Sequence, residues 1–287
     1  MKKYLQKALV MRLFGETFWL YTLVTIALLT ASLAAFFIAI LEKIPGEIAG
    51  IIATGICVSA FLWLIFGVYI LGTAAKKKIK RVLEVSRERR DPQLGIAVYE
   101  KVLRRCPPQL KGDRVHFLVI LCSFYMQNGE YEKGEAALNQ IASILSDKNV
   151  MWPTEVKLSY YGCRVLFFLR VKDIAKAAAA MTEYGAFVDM YVTDTNKKWY
   201  YDDNYRDYYN KYSLLTGKLD GLEDYYNRNF DTAKDTMGRV LAKYNLAEVY
   251  MKSNEREKAK EALQFVADNG NATVYAREAR ELLAKWN

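Results

Sequence analysis

The pattern of hydrophobic and polar positions divides the chain into two different parts. Residues 17–41 and 48–75 are stretches of 25 and 28 residues that contain no charged side chain and show no polar face. At a rise of about 1.5 Å per residue, each is long enough to cross the ~30 Å hydrocarbon layer of a bilayer. From residue 91 onward, apolar residues instead recur at helical spacing among charged ones. The pattern therefore predicts two membrane spans followed by helices with a polar face.

The two apolar stretches are typical of a tight transmembrane hairpin, residues 17–75. Buried core helices are the alternative, but helices of soluble proteins usually show a polar face. A cleaved signal peptide is disfavoured because the first stretch is too long for one. Basic residues flank the hairpin in a basic amphipathic segment, residues 1–16, and directly after the second stretch at Lys76, Lys77, Lys78, Lys80 and Arg81. The positive-inside rule then places both termini in the cytoplasm, with the hairpin in the plasma or inner membrane.

The net charge of +9 lies mainly beside the apolar stretches. Residues 76–90 hold eight Lys and Arg against two Glu, whereas residues 91–287 hold 28 basic and 27 acidic residues. Binding of nucleic acid depends on a basic surface, so the near-neutral part of the chain argues against it. The basic residues at 76–81 are instead placed to meet anionic lipid headgroups. Neither span contains an ionisable side chain, which disfavours a pump or transporter.

Residues 76–287 contain a recurring helix–turn–helix pattern. Its clearest copy has Cys122, Tyr125, Gly129, Tyr131, Gly134 and Leu138, and the copy near the C-terminus has Ala247, Tyr250, Asn254, Ala259 and Leu263. An early copy contains Leu83 and Gly95, a third contains Val165 and Ala177, and the weakest contains Gly217. The residues at the small position are spaced 39, 43, 45 and 37 apart, and Leu222 stands where a small residue is expected. The pattern resembles the tetratricopeptide repeat family, whose unit has 34 residues, and implies an all-α solenoid with residues 273–287 as a lone capping helix.

The resemblance also implies where a ligand binds, since the family uses the groove lined by the first helix of each repeat. Transferred by position, the protein-binding groove comprises His116, Ser123, Leu166, Arg170, Tyr208, Lys211, Asn245 and Glu248. The basic and amide clamp that some members use for a peptide carboxylate is not intact. The partner is therefore expected to be a peptide or helix of another protein. Homo-oligomers remain possible.

Residues with the chemistry of catalysis are sparse. His116 is the only histidine, the four cysteines show no metal-ligand spacing, and there is no phosphate-binding glycine motif. We expect no enzyme activity, no cofactor, no metal and no small-molecule substrate. Tyr201, Tyr205, Tyr208 and Tyr212 share one helix face, which favours packing between repeats or an aromatic binding surface. The sequence predicts a membrane-anchored adaptor or scaffold. A non-catalytic subunit or regulator of a membrane enzyme or transporter complex is the alternative.

Overall fold

The structure, a computed structural model, describes residues 84–86 and 88–286 together with Thr30, Gly55 and Arg81. The predicted membrane hairpin, residues 17–75, lies outside the described residues apart from Thr30 and Gly55. Among the described residues, no helix is long and apolar enough to cross a membrane. The chain divides into two units, and the second of them, residues 82–104 and 108–287, carries all the contacts discussed below.

The second unit is all-helical over the residues that the structure describes, and most successive helices pack as neighbours. The predicted all-α class is thereby confirmed, and the arrangement is that of a helical repeat. The ten helices are α1 (Pro92–Arg105), α2 (Lys111–Asn128), α3 (Tyr131–Leu145), α4 (Thr154–Arg170), α5 (Ile174–Tyr191), α6 (Thr195–Thr216), α7 (Leu222–Thr232), α8 (Thr236–Lys252), α9 (Arg256–Asn269) and α10 (Val274–Trp286).

One turn geometry recurs at every predicted repeat. The residue that ends the first helix of each pair has a left-handed backbone, at Arg90 (φ 51°), Gly129 (80°), Lys172 (61°), Gly217 (81°) and Asn254 (60°). In each case the next residue donates its N–H to the carbonyl five residues before it, as Glu130 does to Tyr125 at 2.9 Å and Glu255 to Tyr250 at 2.8 Å. This is the helix-ending bond of the Schellman motif. The five turns have the same spacing as the small positions in the sequence.

Small residues let the two helices of a pair approach closely. A Cβ added to Gly134 on α3 would lie 3.8 Å from the Tyr125 Cβ on its partner α2, and Ala177 on α5 and Ala259 on α9 are fully buried. The buried faces of these pairs form continuous apolar clusters, one around Cys122 and Ile141 and another around Ala247 and Leu263. Because van der Waals contacts decay steeply with separation, small residues at these positions allow more of them to form.

The pair of α6 and α7 does not have a small residue at the position where the other pairs have one. Leu222, 2% exposed, stands at its small position, and α6 and α7 make little contact along their length. Instead α6 packs on α5 and α4, while α7 packs on α8. Leu222 lies in an apolar cluster together with Tyr226 and Val240.

The last helix returns to the first complete pair. Besides its neighbours α9 and α8, α10 packs against α2. The Arg277 guanidinium donates to the Asn128 carbonyl at 2.5 Å, and Val274 lies beside Gly129, where an added Cβ would be 3.0 Å from its Cγ2. The helix predicted as a cap therefore also bridges the two ends of the helix series α2–α9.

Candidate functional site

A cavity of about 480 Å³ lies where α6 and α7 separate. Its walls come from first helices of the pairs, α2, α4, α6 and α8, and also from α7 and from Tyr275 on α10. The first helices of four pairs therefore face this space. Concave sites of 300–1,000 Å³ are the usual size for binding a compact ligand or a few side chains.

Six of the eight residues predicted for a protein-binding groove line this cavity. They are Ser123, Leu166, Arg170, Lys211, Asn245 and Glu248. The structure places the other two elsewhere. His116 is exposed on α2 and lies beside Phe117, with ring centroids 6.0 Å apart. Tyr208 is buried among α4, α5 and α6, with its hydroxyl close to Gly162 and its ring 5.3 Å from that of Tyr184.

Arg170, the last residue of α4, occupies one wall of the cavity and is 11% exposed. Its Nη2 lies 2.7 Å and 2.8 Å from the two carboxylate oxygens of Glu278 on α10. The Tyr244 hydroxyl on α8 donates to the same carboxylate at 2.5 Å. The guanidinium also lies over three rings, the nearest being Tyr275 at 4.5 Å. A single side chain therefore joins α4, α8 and α10.

Electrostatics keep this group charged. Burial by itself lowers the pKa of the Arg170 guanidinium, but Tyr275 and the Glu278 carboxylate outweigh that effect and raise the pKa above its ordinary value. Burial, with Glu248 and Glu278 nearby, also raises the pKa of Tyr244, so its hydroxyl remains a proton donor to Glu278 at neutral pH. Arg170 therefore stays charged and forms an ion pair with Glu278.

The other charged residues of the cavity are paired in the same way. Lys172 donates to Glu248 on α8 at 2.9 Å, which links the turn after α4 to α8. Lys211 is paired with Asp207 one turn earlier on α6, and Asp207 also accepts from the Tyr225 hydroxyl at 3.1 Å. Each cation that faces the cavity therefore has a carboxylate partner from the protein itself.

Several residues of the site were missed from the sequence. The family groove is built from first helices, so nothing in the resemblance pointed to Tyr226 and Asn229 on the second helix α7 or to Tyr275 on α10. The one available signal was Leu222 at a position that calls for a small residue. It marks the pair in which a second helix also faces the cavity.

The tyrosine face predicted on α6 packs inside the second unit. Tyr208 is part of the apolar cluster of α4, α5 and α6, and Tyr201, Tyr205 and Tyr212 are half-buried against it. Other aromatic residues of the same helix, Trp199, Tyr200 and Tyr209, are at least half exposed. Of the predicted membrane-surface residues, only Arg81 is described, and it is exposed in a helix.

Within the part of the chain that the structure describes, no three His, Cys, Asp or Glu side chains come together where they could hold a metal ion. No protein-family model matches the chain, and no curated protein or solved structure was found to be similar to it.

Proposed function

We propose that the chain is a membrane-anchored adaptor whose tetratricopeptide-like repeat domain, on the cytoplasmic side, binds another protein. Residues 17–75 form the anchor as a two-span hairpin, and the binding site is the cavity between α6 and α7. The anchor increases the effective concentration of the repeat domain near partners at the membrane, and the cavity provides selectivity.

The observation that carries this proposal is the position of the cavity. It opens on the face formed by the first helices of the pairs, which is where the family resemblance puts a ligand, and six of the eight residues transferred by position line it. The anchor is supported by the two uncharged stretches and their basic flanks.

The test is site-specific photo-cross-linking in native membranes. A photoreactive amino acid replaces Asn245, which lines the cavity, and in a matched control it replaces Lys260, which is exposed on α9. We expect one protein to be cross-linked from position 245 and not from position 260. Cross-linking of no protein from 245 in a folded, membrane-inserted chain would contradict a binding role for the cavity.

The same experiment separates the two readings of the hairpin. An adaptor keeps the cross-link at position 245 when residues 17–75 are replaced by an unrelated two-span hairpin. An integral subunit of a membrane complex loses that cross-link, because its own spans make the contacts that hold the complex together.

A further inference from the structure

Large exposed apolar side chains are concentrated at one corner of the second unit, where α5 ends and α6 begins. Met190 and Tyr191 at the end of α5 are 68% and 54% exposed, and Trp199 and Tyr200 in the first two turns of α6 are 67% and 58% exposed. Only residues 192–194 separate the two helices. We name these four side chains the aromatic corner. Single exposed apolar residues are ordinary, whereas a cluster of them marks a contact surface.

The helix ends beneath the aromatic corner are joined to each other. Lys198 on α6 donates to Asp189 on α5 at 3.0 Å, and Lys197 donates to Glu155 at the start of α4 at 3.3 Å. The Tyr191 ring lies 4.5 Å from the ring of Phe187, one turn earlier on α5. Both lysines beside the corner are therefore matched by carboxylates of this chain, so the corner offers apolar rings rather than unpaired positive charge.

The anchor proposed above brings a lipid surface to this part of the chain. Residues 76–91 lie between the second uncharged stretch and α1, a separation of 16 residues. These residues span roughly 20–24 Å, whether they form a flexible linker or a helix. A compact domain of about 200 residues is roughly 40 Å across, so a tether of this length keeps the second unit beside the bilayer. Tethering of this kind gives effective concentrations in the millimolar range, so that even a weak contact with lipid is populated.

The side chains of the aromatic corner match the chemistry of the membrane–water interface. Tryptophan and tyrosine are enriched at that depth, because each has an apolar ring and one polar N–H or O–H group that stays with the headgroups. Attraction to anionic headgroups is not required, since the anchor already holds the chain at the bilayer. Neutral, aromatic and close to its own membrane, the corner fits a lipid surface.

We propose that the aromatic corner docks into the headgroup interface of the bilayer that holds the anchor. This inference rests on the anchor of the proposed function and assigns a second contact surface, separate from the cavity between α6 and α7. The contact is made by Met190, Tyr191, Trp199 and Tyr200, and it is interfacial rather than electrostatic. It ties the repeat domain to the membrane through one corner in addition to the tether.

The first arm of the test compares two tyrosines of the same helix. Tyr200 lies in the aromatic corner, and Tyr209, 50% exposed, lies about 14 Å further along α6. Each is replaced in turn by the photoreactive residue benzoylphenylalanine in the full chain, which is reconstituted in phosphatidylcholine vesicles and irradiated. We expect about fivefold more lipid adduct at position 200 than at position 209, measured by mass spectrometry. Equal yields at the two positions, or cross-linking of position 200 to a second copy of the chain instead of to lipid, overturns the proposal.

The second arm places charges in the corner. The photoreactive residue now replaces Tyr191, and Met190→Glu with Trp199→Glu is compared with Tyr209→Glu. A carboxylate opposes transfer out of water, so we expect the corner variant to lower the lipid adduct at position 191 about threefold and Tyr209→Glu to leave it unchanged. All three side chains are exposed, so circular dichroism should show an unchanged helical fold in both variants. An unchanged yield in the corner variant contradicts the proposal.

The third arm separates an interfacial contact from an electrostatic one. Vesicles of phosphatidylcholine alone are compared with vesicles that contain about one third phosphatidylglycerol. The yield at position 200 should change by less than about twofold, because the lysines of the corner are already paired. A yield that depends on the anionic lipid overturns the assignment to the aromatic side chains.

The two proposals fail differently. Extraction of the chain from the vesicles by alkaline carbonate would contradict the anchor, and with it this inference. A chain that resists carbonate but gives equal lipid adducts at positions 200 and 209 would overturn the inference alone, whereas the protein cross-linked from position 245 tests the adaptor function independently of both.

Discussion

The two long-range ion pairs of the cavity differ in burial, and this difference predicts different contributions to stability. In the inner pair, Arg170 is 11% and Glu278 33% exposed. In the outer pair, Lys172 is 58% and Glu248 15% exposed. Exposed pairs are worth about 0.2–1 kcal/mol, whereas a hydrogen bond to a charged group inside a protein is worth about 1.5–3 kcal/mol. We expect a coupling free energy of about 2 kcal/mol for the inner pair and about 0.5 kcal/mol for the outer one.

A double-mutant cycle measures each coupling. The inner cycle uses Arg170→Met, Glu278→Gln and the double variant, and Gln keeps an oxygen that can accept from Tyr244. The outer cycle uses Lys172→Met and Glu248→Gln. Free energies of unfolding come from pulse proteolysis of the full chain in nanodiscs across a urea series, since cleavage reports the population of unfolded chains.

Salt provides an independent check on the same reasoning. Raising the ionic strength from about 0.05 to 0.5 M shortens the screening length to a few ångströms, which weakens exposed pairs far more than buried ones. The outer coupling should therefore fall towards zero while the inner one changes little. Equal couplings in the two cycles, or an inner coupling that vanishes in salt, would refute the assignment of Arg170 as the group that holds α4, α8 and α10 together.

Three further predictions follow from the turns, the crossings and a helix cap. Gly217→Ala should lower the free energy of unfolding by about 1 kcal/mol, because only the left-handed backbone opposes the substitution. Gly129→Ala should lower it by about 2–3 kcal/mol, because its Cβ would also press on Val274. Urea pulse proteolysis of both variants compares the two losses. In the same assay, Gly134→Leu should lose about 1–3 kcal/mol by overpacking against Phe167, whereas substitution of the exposed Lys260 by Leu should cost less than about 0.5 kcal/mol. The hydrogen bond from the Lys176 backbone N–H lowers the pKa of Asp173 below its ordinary 3.8, so this helix cap stabilises the fold above that pH and the stabilisation is lost as the pH falls below it. Between pH 6 and 3, the melting temperature should fall more steeply for the wild type than for Asp173→Asn. Parallel curves of melting temperature against pH would contradict this prediction.

The pairing of helices could be predicted from the sequence because each pair is specified locally. The residue type of Gly129 and Gly217 predicts a left-handed turn, since glycine adopts this conformation without steric cost. Lys172 and Asn254 do so only through their spacing from the small residues Ala177 and Ala259. The structure gives all four the same turn, so the spacing carried information that residue type alone did not.

The cavity was predicted only in part because it depends on contacts between distant segments. Arg170 and Glu278 are 108 residues apart in the chain, and no periodic pattern links them. The contribution of α7 could not be foreseen either, since it follows from the separation of α6 and α7 in space. The mismatch at Leu222 was visible in the sequence, but its effect depends on which neighbours the two helices find instead.

The departure at Leu222 and the return of α10 to α2 belong together energetically. In a repeat domain, stability is approximately the sum of each unit and its interfaces with its neighbours. The limited contact between α6 and α7 weakens one such interface, and if the series were held only by consecutive contacts it would be weakest at that point. The bridges that cross the gap, Arg170 to Glu278 and Lys172 to Glu248, join α4 and the turn after it to α10 and α8 directly. They hold the two sides of the cavity at a fixed separation, so a binding site can persist where the repeat packing is interrupted.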